Sequence, residues 1–204
     1  MSLLRNEEKR ALLDIARKAV FLMVLEQREL LIPSPEGLLA QPSGAFVTLH
    51  LRGRLRGCIG RIESADPLAG VVAQCAAAAA TEDPRFSPLQ AHELHALEIE
   101  ISVLSALQVA RPEEVEPGRH GLLISHGRQR GVLLPQVASQ FRWSRERFLE
   151  ETCRKGGLEP EAWKHPETQI EIFTAEIFSE SESRFPDSQN AERESGRSDH
   201  SSSQ

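Results

Sequence analysis

Gly53-Arg54-Leu55-Arg56-Gly57 recurs as Gly127-Arg128-Gln129-Arg130-Gly131, 74 residues further along the chain. Each copy sits in the same succession of patterns. Residues 45–51 are rich in strand formers, Gly53 offers a turn and residues 55–62 resume the strand; residues 121–134 form a second hairpin around Gly127. Each hairpin precedes a helix. Each helix precedes an alternating strand with Ile-Glu-Ile, Ile99 to Ile101 within 96–104 and Ile170 to Ile172 within 168–178. A lone hairpin is marginal in water and needs a partner for its apolar face. A duplicated hairpin–helix–strand unit therefore predicts an antiparallel sheet with helices packed on it, an α+β fold.

The other patterns fill in around this unit. Leu12, Ile15, Ala19, Leu22 and Leu25 recur at helical spacing and predict a helix over 6–31, ended by Pro33 and Pro35. Asp66 and Pro67 read as N-cap and first residue of the next helix, which runs through Val71, Val72 and the block Ala76 to Ala80. Side chains this small let a helix lie very close to a sheet. Glu82-Asp83-Pro84-Arg85-Phe86 reads as a loop, and Leu134-Pro135-Gln136 as a strand end leading into a turn. Ser144 caps the helix of the second unit, Gly156-Gly157 stop it, and Trp143 and Trp163 read as core plugs at helix ends. From Glu180 on there are eight serines in 25 residues and almost no aliphatic side chains. Such a segment cannot bury enough surface to offset its ordering entropy. The expected division is a domain over 1–179 and a disordered acidic, Ser-rich tail over 180–204.

Charge narrows the function classes. The net charge is −6, and the tail contributes −3 of it through six acids against three bases. Neither part has the basic excess that drives binding to phosphate backbones, which disfavours nucleic acid as a partner. No run approaches ~18 apolar residues, the length a membrane span needs. Asn6, Glu7 and Glu8 bring polarity at once after Met1, so no secretory signal is expected. Cys58, Cys75 and Cys153 form no Cys-x-x-Cys pair and suit reduced thiols in a cytoplasmic protein.

The chemistry concentrates on the first copy of the repeat. After Arg-Gly it reads Cys58-Ile59-Gly60, where the second reads Val132-Leu133-Leu134, so packing alone does not demand a thiol at that place. Gly57 and Gly60 bracket Cys58, and glycine inside a strand marks a bulge or the close approach of a ligand or backbone. A three-residue turn at Arg52-Gly53-Arg54 would pair 51 with 55, 49 with 57 and 47 with 59. Thr48, His50, Arg56 and Cys58 then line the polar face. Arg54, Arg56 and Arg61 are near in sequence; cations favour the nucleophilic thiolate, and guanidinium forks can equally hold an anion. The alternative is a buried, inert cysteine, the reading given to Cys75 and Cys153. His50 is a possible cross-strand imidazole neighbour and His120 a possible distant one. Asp83 and Arg85, stiffened by Pro84, either tie their loop to the sheet near Cys58 or line a cleft. His92 and His95 would share a helical face, but no third or fourth metal ligand is indicated, and no metal or other cofactor is expected. Gly-x-Ser-x-Gly, phosphate-binding glycine loops and zinc spacings do not occur.

Leu55-Arg56-Gly57-Cys58-Ile59-Gly60 resembles the hallmark hexapeptide of the AMMECR-domain family. Gly44-Ala45-Phe46-Val47-Thr48 before it and Asp83-Pro84-Arg85-Phe86 after it extend the match. Glu100-Ile101-Ser102-Val103-Leu104, Gly118-Arg119-His120-Gly121-Leu122, Leu133-Leu134-Pro135-Gln136-Val137-Ala138 and Lys155-Gly156-Gly157-Leu158 follow in the family's order, across roughly residues 5–179. Gly156 departs from it, where relatives usually carry alanine or a bulkier residue. The resemblance implies a cleft between two unequal lobes and kinship with protein A of the AmmeMemoRadiSam system. It further implies a Memo-like protein and a radical SAM protein as partners, sharing an unidentified substrate. The family's activity is not established. The expected function is an enzyme or enzyme component with Cys58 as nucleophile or ligand, Arg56 as anion holder and His120 as a further catalytic candidate distant in the sequence. Thr48, Arg54, Gly57, Gly60, Asp83 and Arg85 would line an arginine-rich cleft for a small-molecule or peptide-borne substrate. A non-catalytic binding or regulatory module is the alternative.

Overall fold

The computed structural model of the chain describes residues 4–183. It is an α+β fold whose antiparallel pairing divides into two four-stranded sheets. The first hairpin is β1 (Ala45–Leu51) with β2 (Arg54–Arg61), followed by α2 (Leu68–Thr81) and β3 (Leu97–Leu104). The second is β5 (Gly121–His126) with β6 (Gln129–Leu133), followed by α4 (Arg145–Lys155) and β7 (Gln169–Phe173). The first sheet runs β2-β1-β3 and the second β6-β5-β7, so the two units share one topology. Their registers match as well: Leu49 lies opposite Gly57 and Ile99, as Ile124 lies opposite Gly131 and Ile170.

Each sheet is completed by a strand from the other unit. After β3 the chain enters the second sheet as β4 (Gln108–Val109), paired with β7. After β7 it enters the first as β8 (Ala175–Ser179), paired with β3. The two crossing points bond to each other. The Ser105 amide donates to the Thr174 carbonyl and the Thr174 amide to the Ser105 hydroxyl, both at 2.9 Å. Residues 168–178, expected as one alternating strand, are thus two strands in different sheets.

The larger core lies where α1 (Asn6–Glu26) and α2 cover the first sheet. Leu12, Ala16 and Val20 of α1 meet Val47, Leu49, Ile99 and Ile101, all fully buried. The smaller core sets Phe148, Leu149 and Cys153 of α4 against Leu122, Ile124 and Ile170, with Trp143 and Trp163 partly buried beside it. Repeated glycines let the helices come this close. A Cβ on Gly57 would stand 2.1 Å from the Ala79 carbonyl oxygen, and one on Gly131 2.0 Å from that of Thr152. The glycine before Cys58 makes room for a helix backbone.

Several boundaries differ from expectation. Helix α1 ends at Glu26, where Gln27 takes a left-handed φ of 54°, so the residues up to 31 leave the helix. Helix α2 starts at Leu68 with Pro67 as its cap, while Asp66 instead pairs with Arg61. Pro135 opens a further helix, α3 (Pro135–Phe141), in place of the expected turn. Glu180–Ser183 form a short helix, α5, inside the expected tail. The Glu180 carboxylate accepts from Arg17 Nε at 2.9 Å and from the Ile99 amide at 2.9 Å. The rest of that tail, residues 184–204, lies outside the described residues. Among the described residues no helix is long and apolar enough to cross a membrane.

Candidate functional site

Strand β2 is an edge strand, and Cys58 sits within it, half-buried. The hairpin turn has two residues, both left-handed (Arg52 φ 51°, Gly53 φ 74°). Leu51 therefore pairs with Arg54 and His50 with Leu55, one residue off the expected three-residue turn. A bulge between Leu49 and His50 absorbs Arg56 and restores the expected pairs Leu49–Gly57, Thr48–Cys58 and Val47–Ile59. The slip leaves Leu55 exposed, outside the apolar set it was expected to join. The Thr48 hydroxyl lies 3.4 Å from the Cys58 sulfur.

The loop after α2 covers the open edge of β2 at this residue. The Cys58 amide donates to Asp83 Oδ2 at 2.8 Å, and Arg85 Nη2 donates to the Cys58 carbonyl at 3.3 Å. Arg85 also grips Asp83 with a fork, Nε to Oδ1 at 2.9 Å and Nη2 to Oδ2 at 2.7 Å, while its amide bonds Oδ1 at 3.1 Å. A carboxylate and a guanidinium thus stand in for the acceptor and donor of a neighbouring strand. The Arg85 fork, followed by the Cys58 and Arg85 amides, holds the buried Asp83 carboxyl well below the usual carboxylate range. The loop does lie over the Cys58 strand, and it ties there. In the second copy no side chain among the described residues bonds the backbone of Val132.

Other predicted residues have different employments. Arg56 is held by Glu93 in a fork (Nε–Oε1 2.8 Å, Nη2–Oε2 2.9 Å) and donates to the carbonyls of Ser87 at 2.9 Å and Pro88 at 3.4 Å. Four of its five N–H donors thus meet protein acceptors. Arg54 is exposed at the hairpin tip and makes no ion pair among the described residues. Gly60 leaves space for the Phe46 ring, whose nearest carbon would stand 2.2 Å from an added Cβ. His120 is buried in the other unit, and its Nδ1 accepts the Glu116 amide at 3.2 Å. Its bonds hold a local turn and do not reach Cys58. Burial lowers its pKa, so the neutral ring is favoured there. A cavity of about 320 Å³ does lie between the units, lined by Ile62, Glu63, Leu123, Arg130 and Val132, and Cys58 does not line it.

One residue of the face escaped the sequence reading. Thr48 lies opposite Glu100 as well as Cys58, and Glu100 lies opposite Ser179. Cys58, Thr48, Glu100 and Ser179 therefore form one row across the face turned away from α1 and α2. Burial pushes the Glu100 carboxyl up, against a smaller opposing effect of His50. The matching row in the second unit is Val132, Leu123 and Glu171. The glutamate recurs, whereas the thiol and the hydroxyl belong to the first unit alone. The other two thiols are buried, with Cys75 pushed up to about 11 and Cys153 also raised by burial.

The family described as AMMECR1 matches residues 13–178. A protein of Methanothermobacter thermautotrophicus is 40% identical over 185 residues, covering 87% of this chain and 96% of its own. One of Thermococcus kodakarensis is 40% identical over 197 residues, covering 90% and 95%. The crystal structure of an uncharacterized protein from Pyrococcus horikoshii has a TM-score of 0.79 at 36% identity, over 86% of this chain and 92% of that one.

Proposed function

The chain belongs to the AMMECR1 family, and within it we propose a thiol-dependent enzyme or enzyme component whose reacting group is Cys58. The observation that carries this reading is the row Cys58–Thr48–Glu100 set beside its counterpart Val132–Leu123–Glu171. The fold is built twice, and the polar thiol–hydroxyl pair is present once, on a strand clamped through Asp83 and Arg85. Cys58 and Glu100 are two strands apart, about 10 Å at the usual spacing. A small or peptide-borne substrate would lie across Thr48 to reach both. Cys58 attacks or ligates it, and Glu100, whose carboxyl burial keeps closer to its proton, gives or takes the proton. Proteins of the Memo-like and radical SAM types are part of the same proposal, as suppliers or consumers of that substrate.

A specific observation favours the second reading, a non-catalytic binding module: Arg56 and Arg85 both have their forks filled by protein carboxylates. The test compares metabolite and protein-modification profiles of the native host carrying the wild type, Cys58→Ala or Glu100→Gln. One species that accumulates in both variants supports the enzyme. Unchanged profiles, with Cys58 inert to iodoacetate until the protein unfolds, give the site to the binding module. Cys58→Ala is expected to cost less than ~1.5 kcal/mol, since Val132 fills the matching place.

A further inference from the structure

Far from Cys58 in the chain, three side chains from two stretches converge on the second sheet. His126 ends β5, while His165 and Glu167 lie in the connection that leads into β7. One donor atom from each lies within 4.8 Å of the others, and the two rings meet edge to face with centroids 5.2 Å apart. We propose that His126, His165 and Glu167 bind a divalent transition-metal ion of the zinc class.

The surrounding hydrogen bonds orient the first ligand. The Thr168 hydroxyl has a single proton and gives it to the Ala162 carbonyl at 2.6 Å. Nδ1 of His126, 3.0 Å from that same oxygen, must then be the donor in their bond. A neutral imidazole with its proton on Nδ1 carries its lone pair on Nε2. An outer partner that fixes ring and tautomer in this way is the usual companion of a metal-binding histidine. Nδ1 of His165 accepts the Glu167 amide at 3.3 Å, and ligation costs this one long, solvent-exposed bond. The Glu167 carboxylate is exposed and makes no salt bridge among the described residues.

The dimensions and the donor types agree on the ion. Donors about 2.0–2.1 Å from a tetrahedral zinc stand on the order of 3.3 Å apart, so the side chains must draw in by ~1.5 Å at most. His165 and Glu167 are exposed and free to make that adjustment by small changes of rotamer. Two imidazoles with one carboxylate suit zinc and its neighbours, whereas magnesium and calcium take oxygen donors. Three protein ligands leave a fourth position open. His165 and Glu167 also line a cleft of about 710 Å³ with Arg111 and Lys164, which has room for water or an anionic donor. An ion here would tie the end of β5 to the entry of β7.

Isothermal titration calorimetry of the untagged full chain with zinc chloride tests the site, with magnesium and calcium chlorides as controls. One equivalent of zinc is expected to bind, and neither control ion. His126→Ala, His165→Ala and Glu167→Gln should each weaken binding at least about tenfold. Thr168→Val keeps every ligand and should weaken it by about ten- to a hundredfold. His92→Ala/His95→Ala and Cys58→Ala should leave it unchanged. His165 and Glu167 are exposed, so their variants should melt like the wild type in chelator, separating lost ligation from lost folding. Absence of stoichiometric zinc binding overturns the proposal. So does binding that survives all three ligand variants, or that disappears with His92 and His95 or with Cys58.

Discussion

Asp83 shows how one side chain can hold a strand edge. Its carboxylate accepts the Cys58 amide and the Arg85 amide and fork, so its charge is compensated although the residue is only 4% exposed. Asp83→Asn keeps the shape and removes the charge, and should cost about 1.5–3 kcal/mol at pH 7, the usual worth of bonds to an ionised group. The pH dependence follows from the sign of the shift. A carboxyl whose folded pKa is depressed adds stability above its unfolded value, about 3.9, and loses it as pH falls toward the folded value. Urea melts of wild type and Asp83→Asn should therefore differ most above pH 5 and converge steadily below about pH 4. A gap that stays constant down to pH 3 would mean that the ion pair contributes nothing to the clamp. In the sequence this pair was legible as a stiff Asp-Pro-Arg loop that either ties or lines a cleft. The Cys58 strand as its neighbour was legible too, but not the atoms it holds, because only the register of β2 turns the Cys58 amide toward the edge.

At the scale of elements, the repeat was readable because hairpin, helix and strand keep their order and their Gly-x-x-x-Gly spacing. The glycines were legible only as a bulge or a close approach, since the helix carbonyl that meets each lies 21 or 22 residues further along the chain. Alternation likewise put Glu100 on a wet face, yet only the pairing of β3 with β1 sets it beside Thr48. His126 and His165 are 39 residues apart and carry no spacing signal. The helix–strand contact gives a graded prediction for three glycines. Gly57→Ala should cost at least ~2 kcal/mol, because its Cβ would meet the Ala79 backbone oxygen at 2.1 Å. Gly53→Ala meets nothing within 4 Å but has a φ of 74°, and should cost about 1 kcal/mol through backbone strain alone. Gly70 lies within α2 with open space around it, so Gly70→Ala should stabilise by roughly 0.4–1 kcal/mol. Chemical denaturation ranks the three. If Gly57→Ala proves as mild as Gly53→Ala, the close approach of α2 to β2 is wrong.

At the scale of the molecule, the exchanged strands decide how the two units unfold. Each sheet takes its fourth strand from the other unit, and the crossings at Ser105 and Thr174 are bonded to each other. Separating the units would strip β8 from β3 and β4 from β7 together. Neither core can then melt while the other stays intact, and a single cooperative transition is expected. This exchange was hard to read in the sequence, because both halves of 168–178 are good strand and the one hint is a slip of the alternation at Ile172-Phe173. The chain supplies its own reporters. Both tryptophans, Trp143 and Trp163, lie in the second unit, whereas the longest helices, α1 with 21 residues and α2 with 14, cover the first sheet. Tryptophan fluorescence thus follows one core, and far-ultraviolet circular dichroism is weighted toward the other. Urea transitions read by the two probes should coincide in midpoint and slope. Thr174→Pro removes the amide that bonds the Ser105 hydroxyl at the crossing and should lower both midpoints together. If the probes separate in the wild type, the two units are independently stable and the exchanged strands only decorate their edges.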